Sequence, residues 1–268
     1  MNRPHALRTV RALLGSVVVS VALSLVGLYL VRRSVPQEIL RETNDIVGNY
    51  LQTLGTIYAV LLAFVVFVVW NQFNDARSFV EREANELIDL FRTSKGLPAP
   101  TRDQVHARLA HYVDVVLEKE WEAMARGNEP VFEEAAAILD DVWEALEGVE
   151  PKTESQGMVQ GEILARFNEL SDVRTNRLTS GRLKIPLALK ILLYTGAITT
   201  IGMTYLFAVD RWPFHALMTG AMAGALSHVL HVIHDLDDCF AGDWQVPRSA
   251  FERVREYMGK SRVREKAA

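Results

Sequence analysis

The chain has little that redox, nucleotide or hydrolytic chemistry needs. One cysteine, Cys239, stands in 268 residues, which excludes an intrachain disulfide and a zinc site built on cysteine spacing. No short repeat, low-complexity tract, GxGxxG element, Walker loop or GxSxG elbow occurs, so the signatures of dinucleotide, nucleotide and serine-hydrolase sites are missing. A net charge of −4 gives no basic footprint for nucleic acid. Charge itself is missing from four long stretches, residues 13–31, 46–74, 191–209 and 212–234. Each reaches the roughly 20 apolar residues that a helix needs to cross a bilayer.

What is present sorts around those stretches. A strongly charged segment, residues 75–184, separates the two apolar pairs. The expected fold is all-α: a polytopic membrane protein with four transmembrane helices in two hairpins and a helical cytoplasmic insert. Residues 1–74 form the first hairpin, with spans at about 13–31 and 50–70, and residues 75–184 form the insert. Residues 185–235 form the second hairpin, with spans at about 187–209 and 212–234, and residues 236–268 form a tail with a short basic helix. Arg3, Arg8 and Arg11 precede the first span as in a signal peptide, but the span ends in Leu30-Val31-Arg32-Arg33 with no small-residue cleavage site, so it reads as a retained helix. Basic residues gather on one side of this topology: the N-terminal arginines, then Arg174, Arg177, Arg182 and Lys184, then Arg248, Arg253, Arg255, Lys260, Arg262, Arg264 and Lys266. The other side has Arg32, Arg33, Arg41 and Arg211. The positive-inside rule therefore places both termini and the insert in the cytoplasm.

The second span continues past Trp70. Phe73, Ala76, Val80, Ala84, Leu87 and Phe91 keep steps of three and four, no Gly or Pro interrupts residues 56–95, and Gly96 and Pro98 stand as a stop signal. One helix of this length reaches ~60 Å. Three further helices are expected in the insert. One opens at the capping-box pattern Thr101-x-x-Gln104, carries Val105, Leu109, Tyr112, Val116 and Glu120-Trp121 on its stripe, and closes at Gly127-Asn128. The second spans about 131–146, and the third about 158–179, after a polar loop at 150–156. The many Asp and Glu residues of the insert lie near Arg and Lys on helix faces and read as solvated. No catalytic constellation emerges, and no cofactor is called for.

Three residue sets carry physical content. Small residues recur four apart at Gly55, Ala59 and Ala63 and at Ala216, Gly220 and Gly224, which suits close helix packing within or between protomers. Leu54, Ile57, Leu61, Phe64 and Val68 form a stripe that faces lipid, faces the core, or narrows a symmetric pore that gates by dewetting. His228, His231 and Asp235 share a face near the end of the last span, with His234, Asp237 and Asp238 beside them. They suit interfacial hydrogen bonding, pH or ion sensing, or a divalent metal. Lys190 reads as a snorkelling side chain, and His215, Tyr50, Trp70 and Trp212 as interfacial anchors.

Several segments together resemble the bacterial bestrophin-like domain family. They are the run from Gly55 to Trp70, its continuation through Phe73, Ala76-Arg77 and Val80-Glu81-Arg82-Glu83-Ala84, then Leu90-Phe91-Arg92 and Gly96-Leu97-Pro98. Glu120-Trp121, Ala123-Met124, Leu170-Ser171, Arg174, Arg177-Leu178, Leu236-Asp237, Phe240 and Gly242-Asp243 add to it. Cys239 replaces the proline common in that last motif. The resemblance implies an anion-conducting homopentamer in the bacterial inner membrane, with the second span lining the axis at Ile57, Leu61, Phe64 and Val68. Its partners are lipid and small inorganic anions, with no enzymatic step. No acidic run matches the bestrophin calcium clasp. A non-conducting scaffold acting through the cytoplasmic helices is the alternative.

Overall fold

A computed structural model describes residues 3–126, 130–242 and 244–267. The Gly127-Asn128 break and Asp243 lie outside them, as do the side chains of Arg3, Arg8, Arg11, Arg262, Arg264 and Lys266. The described residues are helical, with no strand among them. In order they form α1 Arg3–Ser34, α2 Gln37–Thr93, α3 Ala99–Val115, α4 Trp121–Arg126, α5 Pro130–Glu147, α6 Glu154–Arg182, α7 Leu187–Thr204, α8 Trp212–Leu236 and α9 Ser249–Ala267. Four of these, α1, α2, α7 and α8, are long and apolar enough to cross a membrane.

The chain divides into two compact units, the first comprising Met1–Asn71 and Lys184–Asp237. Here α1 packs along α8. Val17 and Val21 of α1 lie over Gly220 and Gly224, where an added Cβ would sit 3.5–3.7 Å from their methyls. Tyr58 of α2 is buried and donates to Leu193 O of α7 at 2.7 Å. Its ring occupies the space that a side chain at Gly196 would need. The first loop is shorter than the charge pattern suggests. Only Val35-Pro36 separates α1 from α2, so Arg41 is helical. Residues 37–45 are polar and escape an apolar criterion, but Pro starts a helix well and Glu, Leu and Arg continue it. Arg32 donates to Val209 O at 2.7 Å and Asp210 O at 3.0 Å, Arg41 pairs with Asp210, and Ala208 N donates to Asn44. Arg32 and Arg41 thus fasten the α7–α8 connection.

The second unit comprises Gln72–Leu183 and Asp238–Ala268. The stripe of Phe73, Ala76, Val80, Ala84, Leu87 and Phe91 is buried throughout, facing a core that includes Leu109, Tyr112, Ile163, Leu170, Phe240 and Phe251. Two local signals resolve differently from their sequence reading. Gly96 takes no left-handed conformation; α2 tightens into a 3-10 turn over Ser94–Gly96, and the glycine is needed because a Cβ would sit 2.8 Å from Val159. Thr101 does not cap α3, which begins two residues earlier behind Pro98 and makes no side-chain cap. The Thr-x-x-Gln cap forms at Thr153 instead, whose hydroxyl accepts from Gln156 N at 3.2 Å while Gln156 accepts from Lys152 N at 2.8 Å. Helix α6 therefore begins inside the segment read as a loop.

Candidate functional sites

In the first unit, α2 is two-sided. Tyr58, Leu62, Val65 and Val69 are buried, whereas Ile57 and Phe64 are 62% and 66% exposed and Val68 is exposed as well. Leu61 lies half-buried at the edge of that open side. The small residues of this span are open too: Ala59 and Ala63 are exposed, and a Cβ at Gly55 would meet nothing. Of the two small-residue series, only Gly220 and Gly224 serve packing within the protomer.

The histidines at the end of α8 are not gathered into a metal site. His228 and His234 are exposed, His231 is half-buried with an unpartnered Nε2, and Asp235 is buried. No group of three His, Cys, Asp or Glu among the described residues could hold a metal ion. Asp237 is committed to structure: it accepts from Ile185 N at 2.6 Å and pairs with Lys190 Nζ at 2.7 Å. Lys190 is therefore tied to the end of α8, where sequence alone suggested a snorkelling side chain. His215 is buried and bonds Thr204 O at 2.8 Å, so it links α7 to α8 instead of anchoring at the interface.

The second unit holds a cluster that sequence reasoning read as solvated. Arg177 is fully buried and donates from Nε to Glu83 at 2.6 Å, from Nη2 to Glu120 at 2.7 Å, and from Nη1 to Met124 Sδ at 2.9 Å. Arg174 donates to the other Glu120 oxygen at 2.7 Å and to Phe132 O at 2.9 Å, and Tyr112 donates to Glu83. Two buried carboxylates thus face two buried guanidiniums. Burial opposes the charge on Arg177, but Glu83 and Glu120 outweigh it and hold its pKa well above the usual value. Burial, reinforced by Glu83, pushes the Tyr112 phenol well above its ordinary range. The backbone widens into a π turn over Val116–Glu120, closed by Trp121 N bonding Val116 O, and Glu120 and Trp121 are both buried. The readable signal was the position of Glu120 on the apolar stripe, one step beyond Val116.

The model of the bestrophin-like domain matches residues 18–251. The chain belongs to the bestrophin-like domain family. No curated protein matches this bestrophin-like chain. Among solved structures, a point variant of a bacterial bestrophin homologue from Klebsiella pneumoniae superposes with a TM-score of 0.68 at 14% identity, over 92% of this chain and 98% of that one. A second variant of that homologue gives 0.66 at 12% identity, over 93% and 96%. A structure described as a membrane protein gives 0.67 at 12% identity, over 90% and 97%. At such identities the likeness establishes a shared fold.

Proposed function

We propose that this bestrophin-like protein is an oligomeric ion channel of the bacterial inner membrane, with copies of α2 arranged around a shared axis. The observation that carries this reading is the apolar side of α2 from Ile57 to Val68, on which Ile57, Phe64 and Val68 stay exposed and Leu61 is half-buried at the edge. Copies of the chain would cover it, and a ring of such helices would form an apolar constriction at Ile57, Leu61, Phe64 and Val68 that gates by dewetting. Gly55, Ala59 and Ala63 would let neighbouring helices approach closely. In this reading residues 1–74 and 185–235 are the membrane hairpins, and residues 75–184 with the tail from 236 are cytoplasmic. The family resemblance favours a pentamer and chloride as the ion. His228, His231 and Asp235 are the candidate pH-responsive group.

Purified full-length protein in planar bilayers is expected to carry current, and Phe64→Trp to reduce it. Current indifferent to Phe64→Trp and Leu61→Phe removes this helix from the pore. One observation favours a second reading, a scaffold acting through its soluble helices. The second unit carries a surface cavity of about 640 Å³, floored by Trp121 and Phe240 and rimmed by Glu118, Glu122, Arg248 and Arg255. A correctly folded oligomer that passes no ion would favour that reading.

A further inference from the structure

Resting on the membrane placement of the first unit and not on conduction, we propose that the groove between α1, α7 and α8 binds one long-chain fatty acid, its carboxyl group held by His231 and Ser227. The groove has a volume of about 400 Å³, within the roughly 300–1,000 Å³ of sites for small ligands. All three helices that wall it are long and apolar enough to cross a membrane. It is elongated along them. Gly224 of α8 lies over Val17 and Val21 of α1, and Gly220 over Val21, which sets the two antiparallel helices in register. Leu23 then marks one end of the groove and His234 the other, ~20 Å apart at 1.5 Å per residue.

The chemistry changes along that length. Toward Leu23 the lining is Val19, Ile198 and Ile201, with Ser20 as its polar member; toward His234 it is Ser227, His231 and Tyr194. His231 Nε2 is buried and has no hydrogen-bond partner. Ser227, one turn before it on the same side of α8, makes no hydrogen bond among the described residues. Other hydroxyls of these helices fold back onto the backbone: Ser16 donates to Leu13 O at 2.9 Å, Ser24 to Val21 O at 2.8 Å, and Thr200 to Gly196 O at 2.8 Å. In hydrocarbon an unmet donor costs free energy that a ligand's acceptor recovers. A single amphiphile with an acceptor head beside His231 and an apolar chain toward Leu23 accounts for both halves of this groove.

Depth and charge select a carboxyl group over a phosphodiester. Ser227 and His231 lie more than a turn inside the end of α8 at Leu236, deeper than a phospholipid headgroup sits. Lys190, the cation beside the mouth, is paired with Asp237 at 2.7 Å. Both line a small adjoining pocket that shares Tyr194, Leu230 and His234 with the groove. The groups left for a ligand head are therefore an imidazole and a hydroxyl. Nε2–H and the Ser227 hydroxyl can each donate to one oxygen of a carboxylate, and such charge-assisted bonds are the strong ones.

The test uses palmitic acid bearing a photoreactive diazirine in its chain, added to the full-length protein in phosphatidylcholine nanodiscs. Cross-links are expected on the peptides that hold Val19, Leu23 and Leu226. Excess palmitic acid is expected to abolish them, with hexadecanol, which lacks the carboxyl group, competing about tenfold less well. His231→Phe with Ser227→Ala is expected to raise the half-saturating concentration about tenfold. Ile198→Trp fills the groove from an exposed position and is expected to remove the cross-links while leaving the thermal midpoint unchanged.

Labelling spread evenly over the apolar helices, half-saturation unchanged in the double variant, or labelling that persists in folded Ile198→Trp protein overturns the proposal. Equal competition by hexadecanol overturns the carboxyl recognition, and competition by phosphatidylglycerol but not by palmitic acid overturns the fatty acid as occupant. Current in planar bilayers is a separate readout. Its absence overturns the channel reading and leaves a labelled groove standing, whereas current from a protein with an unlabelled groove overturns this site alone. Protein that does not float with lipid vesicles overturns both.

Discussion

The two units use the same kinds of side chain in opposite ways. The second buries charge: Glu83, Glu120, Arg174 and Arg177 are all inside, each held by a partner. The first exposes apolar surface, with Leu23, Phe64, Phe67, Ile198 and Leu217 each more than 60% open. Each arrangement would be costly in the other's surroundings. A buried ion pair holds only while every partner stays in place, whereas exposed leucines and phenylalanines are costly in water and not in hydrocarbon. The contrast is the one a first unit set in hydrocarbon and a second set in water would require.

The largest effect that could break this contrast is at Arg177. Arg177→Met leaves the buried Glu83 without a cation and Glu120 with Arg174 alone, and is expected to destabilise the second unit by ~3–5 kcal/mol, read as a fall in the thermal or urea midpoint of detergent-solubilised protein. Next is the packing of the first unit. Gly196→Val drives a side chain into the Tyr58 ring and is expected to cost ~1–3 kcal/mol, part of it restored by Tyr58→Ala. The Thr153 cap comes third: Thr153→Ala is expected to cost ~1 kcal/mol and to raise amide exchange in the first turn of α6. The smallest is the exposed Arg41–Asp210 pair, where Asp210→Asn is expected to change stability by ~0.5 kcal/mol or less.

Alkaline pH sharpens the same contrast. Tyr112 stays neutral in the fold with its pKa raised above the ordinary 10.0. The unfolded chain therefore loses that proton first. The stabilisation is complete below the ordinary value and is lost as pH rises from there toward the raised native value. Urea midpoints measured on both sides of this range are expected to fall on the alkaline side, and Tyr112→Phe to flatten the slope.

Period and charge made much of this fold legible. The stripe from Phe73 to Phe91 reads as a buried face because its polar residues occupy the other sides, and it is buried. The four apolar helices followed from length alone. The ionic cluster was not legible, because Glu83 and Arg177 look locally like any charges on solvated helices; their partners come from helices far apart in sequence. The sequence reading singles out Thr101-x-x-Gln104 and leaves Thr153-x-x-Gln156 in a loop; Pro98 and Pro100 start α3 without a side-chain cap, and the cap forms at Thr153. On α2, periodicity could not say which side is turned outward. That follows from Tyr58 engaging Leu193, a contact between helices well over a hundred residues apart.

Cys239 has a practical consequence. The sole thiol of the chain is 2% exposed, with its own carbonyl accepting from Val246 N at 2.9 Å. A maleimide dye or spin label added to the native protein should leave it untouched, so the wild type already serves as a silent background. Single reporters can be placed on any surface without first engineering the natural sulfhydryl away.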